Sequence, residues 1–256
     1  MTKVIALSNH KGGVGKTTST VNIGAGLAQK GKRVLLIDMD PQANLSQCFG
    51  VQDPEFTIYG ALVGEHELKP YEVRENLHVV PSTLDLAGAE VELASKIARE
   101  TILKKLVDKI KNQYDYILID CAPSLGLITI NAFAATDEIY IPLQAQFLAL
   151  HGLDKLQDIV ELVRENINPR LHISGVFTTQ YDGRKVLNRD IADLVNEHFK
   201  DKAFKTVIRD NVTLAEAPSH WKDIFSYNPK CNGALDYAAL VEEILQRQET
   251  GKAVHQ

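Results

Sequence analysis

A glycine-rich loop near the start of the chain constrains the fold more than any other stretch. It follows an apolar run at residues 4–7 and precedes a run of helical character at residues 20–28. Buried strand, glycine loop and helix, in this order, form the setting of a phosphate-binding loop. Glycines let the backbone curl so that successive N–H groups face one anion, and the helix adds its positive end. The loop residues are Lys11, Gly12, Gly13, Val14, Gly15, Lys16, Thr17 and Thr18.

Two lysines distinguish this loop from the ordinary pattern G-x-x-x-x-G-K-[ST]. The pattern asks for glycine at position 10, where this chain has His10, and the extra lysine is Lys11. Lys16 is predicted to reach the β- and γ-phosphates of a nucleotide, and the Thr17 hydroxyl is predicted to ligate Mg²⁺.

Carboxylates end two further apolar runs. Asp38 closes the run at residues 33–38, and Asp120 closes the run at residues 114–120. Acids at the carboxyl ends of parallel strands lie at the crevice where α/β folds bind ligands. On this basis Asp120 is predicted to reach a water molecule of the Mg²⁺ shell. For the first run, the plainer interpretation is that Asp38 and Pro41 merely end a strand and form a turn.

Alternating strand and helix patterns predict the fold class. The runs at residues 138–143 and 171–179 are typical of buried strands, and a helix with apolar residues three and four apart separates them. Between Asp38 and Asp120 the sequence predicts a short helix near residues 58–63, a strand at 77–82 and a helical pattern over 84–111. This alternation predicts a doubly wound, mostly parallel sheet with helices on both faces.

Composition limits the function classes. The 256 residues contain no linker or repeat, which predicts one domain over residues 1–256, with residues 247–256 a flexible polar tail. The net charge of −5 argues against a uniformly basic surface but leaves room for a local basic patch. Three cysteines without a C-x-x-C motif disfavour disulfides and a zinc site and favour a reducing cytosol. Because no apolar run approaches the roughly 18 residues of a membrane span, a cytoplasmic location is expected.

Several motifs together resemble one family. The two-lysine loop resembles the deviant Walker A signature of the ParA/MinD superfamily of ATPases. The D-x-D-P-Q run from Asp38 is similar to the family's switch I segment (residues 38–45), and the D-x-A-P-S run from Asp120 is similar to its switch II segment (residues 120–124). Residues 207–220 resemble the family's I-P-R-N-V-R-L-S-E-A-P-S-H segment. The resemblance covers nearly the whole chain and points to the short, Soj-like ParA proteins.

The resemblance implies an activity and a set of partners. Family members bind ATP and Mg²⁺, form a homodimer when ATP-bound, and coat DNA without sequence preference. A ParB-type partner triggers their hydrolysis and release. The implied location is therefore the nucleoid in the cytoplasm, and the implied enzyme is a weak ATP hydrolase stimulated by its partner.

The resemblance also implies residue roles. Lys11 crosses to the phosphates of the partner subunit's nucleotide, and Asp40 positions or polarises the attacking water. Asp38 lies near the metal shell. Asn211 reads adenine, and Arg209 contributes a backbone or stacking contact.

Positive charge in the last third of the chain gives the candidate DNA contacts. Arg184, Lys185 and Arg189 open one predicted helix, and Lys205 belongs to a second group after it. Neighbouring acids dilute both groups, so interspersed surface charge is the plainer interpretation. The chain also departs from the family here: Arg209-Asp210 stands for Pro-Arg, Thr213 for Arg and Trp221 for Gly.

Three alternatives share this fold. A MinD-like membrane ATPase needs an amphipathic basic helix at its C-terminus, and residues 246–256 have almost no apolar face. A biosynthetic ATP-dependent ligase needs a small-substrate pocket. A ParA-like ATPase that positions a protein cargo, such as a chemoreceptor array or a microcompartment, would carry the same motifs.

Overall fold

A seven-stranded sheet organises the computed structural model, which describes residues 2–146 and 153–253. The strand order is β3-β4-β2-β5-β1-β6-β7, and all neighbours are parallel except the antiparallel pair of β3 and β4. The predicted doubly wound, mostly parallel α/β sheet is confirmed. The strands are β1 (Lys3–Leu7), β2 (Val34–Met39), β3 (Tyr71–Arg74), β4 (Leu77–Val80), β5 (Tyr116–Cys121), β6 (Glu138–Gln144) and β7 (His172–Thr179).

Helices cover both faces of this sheet. Alternate residues of each strand point to opposite faces, so the strands bury their side chains in two separate apolar clusters. The helices are α1 (Lys16–Gln29), α2 (Asn44–Cys48), α3 (Ile58–Val63), α4 (Ala89–Leu93), α5 (Ile102–Ile110), α6 (Leu127–Ala135), α7 (Leu153–Asn166), α8 (Val186–Phe199), α9 (Thr213–Glu216), α10 (Ile224–Tyr227) and α11 (Asn232–Ala253).

Helix α1 lies unusually close to the sheet because of one glycine. A Cβ atom at Gly24 would stand 2.6 Å from a methyl group of Leu36 in β2. The absence of a side chain therefore sets the depth at which α1 packs, and with it the position of the loop that leads into α1. On its other side α1 contacts α11, so the C-terminal helix completes this layer.

Three local features differ from the sequence predictions. Strand β3 is an antiparallel edge strand that the sequence did not indicate. The helical pattern over residues 84–111 is broken, because 3₁₀ turns lie at 84–88 and 99–101 and Ala98 adopts a left-handed φ of 53°. Helix α11 continues to Ala253, where the sequence indicated a tail from residue 247; the flexibility of that tail stays a prediction, and residues 254–256 lie outside the described part.

The extended C-terminal helix has anchoring contacts. Nη2 of Arg247 donates to Oε1 of Glu243 at 2.8 Å, and the guanidinium lies 4.0 Å from the ring centre of Phe204. Within residues 2–146 and 153–253, no helix is both long and apolar enough to cross a bilayer.

Candidate nucleotide site

The glycine loop lies where β1 ends and α1 begins, at the carboxyl edge of the sheet. Gly13 and Gly15 have φ values of 75° and 87°, in the left-handed region that favours glycine. A Cβ atom at Gly12 or Gly13 would meet no atom within 4 Å, so the loop faces open space. The loop is therefore both shaped by glycine and accessible to a ligand.

The end of β7 supports the loop from outside. Thr179 Oγ1 donates to the carbonyl oxygen of Val14 at 2.9 Å, and Gln180 Nε2 donates to that of Gly13 at 2.8 Å. Gln180 makes this contact from a left-handed backbone with φ of 50°. Sequence reasoning missed both residues, and the only available signal was that polar residues end the run at 171–179.

The two loop lysines occupy different environments. Lys16 is only 7% exposed, and its Nζ donates to the backbone carbonyl of Lys11 at 3.2 Å. Burial lowers the pKa of Lys16, while the neighbouring charge of Asp120 opposes that shift. Nζ of Lys11 instead makes a solvent-exposed hydrogen bond to Oε1 of Gln146 at 3.1 Å.

Asp120 is placed as the sequence predicts, next to the start of α1. Its Oδ2 accepts a hydrogen bond from Thr17 Oγ1 at 2.7 Å, and its Oδ1 accepts one from Thr20 Oγ1 at 3.2 Å. Parallel pairing of β2 with β5 sets Asp38 beside Asp120. Burial raises the pKa of both carboxyls, and the charge of Asp38 raises that of Asp120 further.

Asp38 holds the switch I segment. Its Oδ2 accepts from the Ser46 amide at 3.0 Å and the Ser46 hydroxyl at 2.7 Å, while its Oδ1 accepts from the Asp40 amide at 3.2 Å. Ser46 Oγ in turn accepts from the amide of Ser82 at 3.0 Å. Sequence reasoning missed Ser46 and Ser82. The role of Asp38 near a metal shell stays a prediction.

Asp40 lies just beyond the end of β2 and is almost completely buried. Its Oδ1 accepts from the backbone amide of Gln42 at 2.9 Å, which fixes the carboxylate within the turn that follows the strand. Oδ2 of Asp40 accepts no hydrogen bond from any of the described residues. A carboxylate held in this way can accept a proton or orient a water, and the water-activating role of Asp40 stays a prediction.

The donor set fits Mg²⁺ bound with nucleotide phosphates. Thr17, Asp38 and Asp120 offer the oxygen ligands that this ion prefers, and Mg²⁺ keeps several waters besides one or two carboxylates. Among residues 2–146 and 153–253, no three His, Cys, Asp or Glu side chains are grouped to hold a metal alone. Two adjacent buried carboxylates with raised pKa values are destabilised when ionised, and a divalent cation would offset that repulsion.

A small cavity of about 170 Å³ adjoins the loop on the side of α9 and α11. Asp236 holds Arg209 there, accepting from its Nη2 at 2.6 Å and from its Nε at 3.0 Å. Oδ1 of Asn211 accepts from the Thr213 amide at 3.0 Å. The predicted adenine contact of Asn211 and the backbone or stacking contact of Arg209 stay predictions, and Asp236 is a further residue that the sequence did not single out. The lining includes Gly15, Thr18, Thr179, Gln180, Arg209, Asn211 and Tyr237.

A wide cleft of about 980 Å³ opens on the other side of the loop, between Thr17, the switch I segment and residues 218–221. Trp221, the single tryptophan of the chain, lies at its rim and is 56% exposed. Its ring rests on Gly50, where a Cβ atom would stand 3.2 Å from the Trp221 ring. The indole is thus placed to report changes in the cleft.

The candidate DNA contacts are only partly brought together. Arg184 is 91% exposed at its side chain and pairs through two nitrogens with Asp182, and Lys185 Nζ lies 3.8 Å from the same carboxylate. Arg189 Nη1 donates to the Gly183 carbonyl at 2.7 Å. These residues share the start of α8, whereas the exposed Lys205 follows that helix and is tied by its amide to Glu243.

The buried acids give a pH prediction for the nucleotide-free protein. When the pH rises above 3.8, the ordinary pKa of an aspartate, Asp120 loses its proton in the unfolded chain but keeps it in the folded protein. The contribution of Asp120 to the free energy of unfolding therefore falls as pH rises. The slope approaches about 1.4 kcal/mol per pH unit until the raised pKa is passed. Urea unfolding of wild type and Asp120→Asn at several pH values measures the difference. A difference that is constant, or that favours wild type more at higher pH, would contradict the assignment.

Comparison with known proteins places this site in a family. The profile of an AAA domain, AAA_31, matches residues 2–173. The chain is 48% identical over 250 residues to the sporulation initiation inhibitor protein Soj of Bacillus subtilis, covering 95% of this chain and 98% of that protein. It is 45% identical over 251 residues to the chromosome-partitioning ATPase Soj of Treponema pallidum, covering 96% and 98%. The chain belongs to the ParA/Soj family of chromosome-partitioning ATPases. The family predicted from the motifs is therefore confirmed.

A solved structure shares the fold. Cobyrinic acid a,c-diamide synthase of Mycobacterium smegmatis, determined with ADP and magnesium, superposes with a TM-score of 0.86 at 31% identity. The match covers 98% of this chain and 97% of that one. The ParA/Soj ATPase described here therefore shares its whole fold with a nucleotide-binding enzyme of different chemistry. The glycine loop and both acids lie within the residues that the AAA profile matches, whereas Arg209 and Trp221 lie beyond them.

Proposed function

We propose that this ParA/Soj ATPase is an ATP-driven dimerising switch that partitions chromosomal or plasmid DNA at the nucleoid. ATP is its substrate and Mg²⁺ its cofactor. The observation that carries the proposal is the contrast between the two loop lysines: Lys16 is buried against its own loop, while the ammonium of Lys11 reaches outward to Gln146. One lysine is thus placed to hold the nucleotide of its own chain, and the other is available to a second chain.

Charge explains why a homodimer would need the outward lysine. Phosphates buried between two chains cannot be accommodated without cations that pair with them. Lys11 supplies one such cation from each side of the interface. When bound, the nucleotide and Mg²⁺ supply the reactive phosphoanhydride and the charge that orders the loops around it. Asp40 would orient the attacking water, a role that its fixing by the Gln42 amide supports, and Asp38 holds the neighbouring Ser46.

Hydrolysis would loosen the dimer through the two switch segments. Switch I is tied to Asp38, and Asp120 begins switch II while accepting from Thr17 at the start of α1. In nucleotide-hydrolysing switch proteins, the switch segments are ordered by contacts with the γ-phosphate and are released when that phosphate is lost. A ParB-type partner that accelerates this step would remove the protein from DNA and so move the cargo.

Non-specific DNA binding is proposed for the basic start of α8, with Arg184, Lys185 and Arg189, and for Lys205. Contacts of this kind pair with phosphates and release counterions, so affinity falls steeply with salt. The acid Asp182 neutralises part of the charge, which favours weak, sequence-independent contact. The full-length match to chromosome-partitioning relatives favours DNA over a protein cargo.

A gel shift on random-sequence DNA tests this function. We expect binding only with ATP and Mg²⁺, and Arg189→Ala should lower the slope of log affinity against log salt by about 1. Arg170→Ala is the matched control, because Arg170 is exposed and pairs with Asp137 beyond the opposite, amino edge of β6. Equal binding without nucleotide, or equal loss in both variants, would contradict the DNA assignment and leave a protein cargo as the better candidate.

A further inference from the structure

A groove far from the nucleotide loop lies between α3 and α5. Its volume is about 500 Å³. Ile102 and Leu106 of α5 are partly exposed along one wall, and the other wall is the end of α3, where Ala61 and Leu62 are almost completely buried. Neither the nucleotide site nor the proposed DNA contacts use these residues.

Helix α5 has more apolar surface than the fold covers. Leu103 and Val107 are buried in the core under the helix. Ile102, Leu106 and Ile110 recur at four-residue spacing and are only partly buried at the edge of the same core. Residues spaced in this way form one stripe along a helix, so the stripe is available to a second helix laid beside it.

An exposed isoleucine stands at the lip of the groove. Ile97 is 96% exposed, more than any other large apolar side chain among the described residues. The next residue, Ala98, has a left-handed φ of 53°, which ends the preceding turn and costs conformational energy for a residue with a Cβ atom. Ile97 extends the partly exposed apolar surface of Ile102 and Leu106, and contiguous apolar surface of this kind is what a partner protein covers.

The charges around the groove are mostly positive. Lys96, Lys105 and Lys109 line it, against the single carboxylate of Glu67. Lys109 pairs with Glu67 at 2.9 Å, and Lys96 donates to the carbonyl of Val63 at the end of α3. Lys105 is exposed and forms no ion pair or hydrogen bond in the part of the chain described. The excess of lysine complements a partner with acidic residues.

Helix α5 is hydrogen-bonded to α6, the helix that follows the switch II segment. The Leu103 amide of α5 donates to Oδ1 of the fully buried Asn131 at 3.1 Å, and Asn131 Nδ2 donates to the Arg99 carbonyl at 2.8 Å. Asn131 belongs to α6, which begins directly after switch II. A segment bound against α5 would therefore contact the helix that is hydrogen-bonded to the switch II side of the ATPase.

We propose that this groove binds an acidic amphipathic helix of a partner protein. Apolar residues three and four apart would pack on the α5 stripe and Ile97, and flanking Asp and Glu would pair with Lys105 and Lys109. The apolar floor favours a helix over nucleic acid, whose phosphates would leave the isoleucine and leucine side chains uncovered. The proposal goes beyond the DNA-partitioning function, because it requires neither nucleotide nor DNA.

Peptide selection on the full-length protein tests the groove. A display library of random short peptides is selected on wild type without nucleotide, after subtraction on the double variant Ile97→Asp/Lys105→Glu. Both positions are exposed, and thermal unfolding checks that the variant is folded. The matched control is Val91→Asp/Lys155→Glu, which replaces a β-branched apolar residue by Asp and a Lys by Glu at exposed positions outside the groove lining.

We expect the retained peptides to carry apolar residues three or four apart with flanking acids. They should bind wild type and the control at least about tenfold more tightly than the groove variant, and should protect amides of α3 and α5 from hydrogen exchange. Four results would overturn the proposal: no discriminating peptide, peptides without an acidic and apolar pattern, preferential binding of an oligonucleotide, or a change of oligomeric state caused by Ile97→Asp alone. Because no nucleotide is present, failure here leaves the ATP-dependent gel shift unaffected.

Discussion

Replacing Lys16 with alanine is expected to abolish nucleotide binding and to lower ATP turnover by about three orders of magnitude or more. The reason is the position of the ammonium, which is almost completely buried at the loop and held by the Lys11 carbonyl. Its removal leaves the phosphates of the nucleotide facing the buried carboxylates of Asp38 and Asp120 without the nearest opposing charge. Titration with a fluorescent ATP analogue and a phosphate-release assay measure the two effects.

Lys11→Ala is the matched control, because it removes the other lysine of the same loop. Its ammonium is exposed and contacts only Gln146 among the described side chains, so binding of nucleotide by the single chain should be largely preserved. Dimerisation with ATP should be lost instead. Fluorescence of Trp221, at the rim of the cleft, follows nucleotide binding in both variants. If the two variants lose nucleotide binding equally, the division of roles between the two lysines is wrong.

Asp40→Ala is expected to trap an ATP-bound dimer. Without the carboxylate that orients the attacking water, hydrolysis should fall by about 10²–10⁴-fold, while nucleotide binding and dimerisation persist. Phosphate release measures the first effect, and light scattering with ATP and Mg²⁺ measures the mass. Asp40→Asn should behave similarly, because it keeps the hydrogen bond from the Gln42 amide but cannot accept a proton as a carboxylate does.

Asp53→Asn provides the control for Asp40, since Asp53 is an exposed carboxylate that lines the wide cleft with Pro41 and Gln42 of switch I. Asparagine tolerates the left-handed φ of 45° at this position, so the backbone should not change. Wild-type turnover in Asp40→Ala would remove the proposed role of Asp40. An ATP-saturated Asp40→Ala protein that stays monomeric at high concentration would remove the proposed dimer and, with it, the cross-subunit role of Lys11.

The amino-acid sequence determined the fold class, the nucleotide loop and the family. Each is indicated by a short stretch of sequence. Gly13 and Gly15 permit the left-handed backbone that the phosphate-binding loop requires. Apolar runs of strand length end in Asp38 and Asp120, which places both acids at one edge of a parallel sheet. Strand pairing then sets the two acids side by side. The loop and the two acid-ended runs depend on residues close in the chain, so each could be predicted before the fold was known, whereas the pairing of β2 with β5 could not.

The tertiary structure alone decided which residues support that site. Thr179 and Gln180 reach the loop across more than 160 positions of chain, Asn131 joins α5 to α6, and Asp236 of α11 fixes Arg209. No local sequence pattern predicts these contacts, because polar residues are common at strand ends and in helices. Their meaning arises only when crossover connections bring distant segments together, which is also why the exposed Ile97 and the groove beside it were invisible in the sequence.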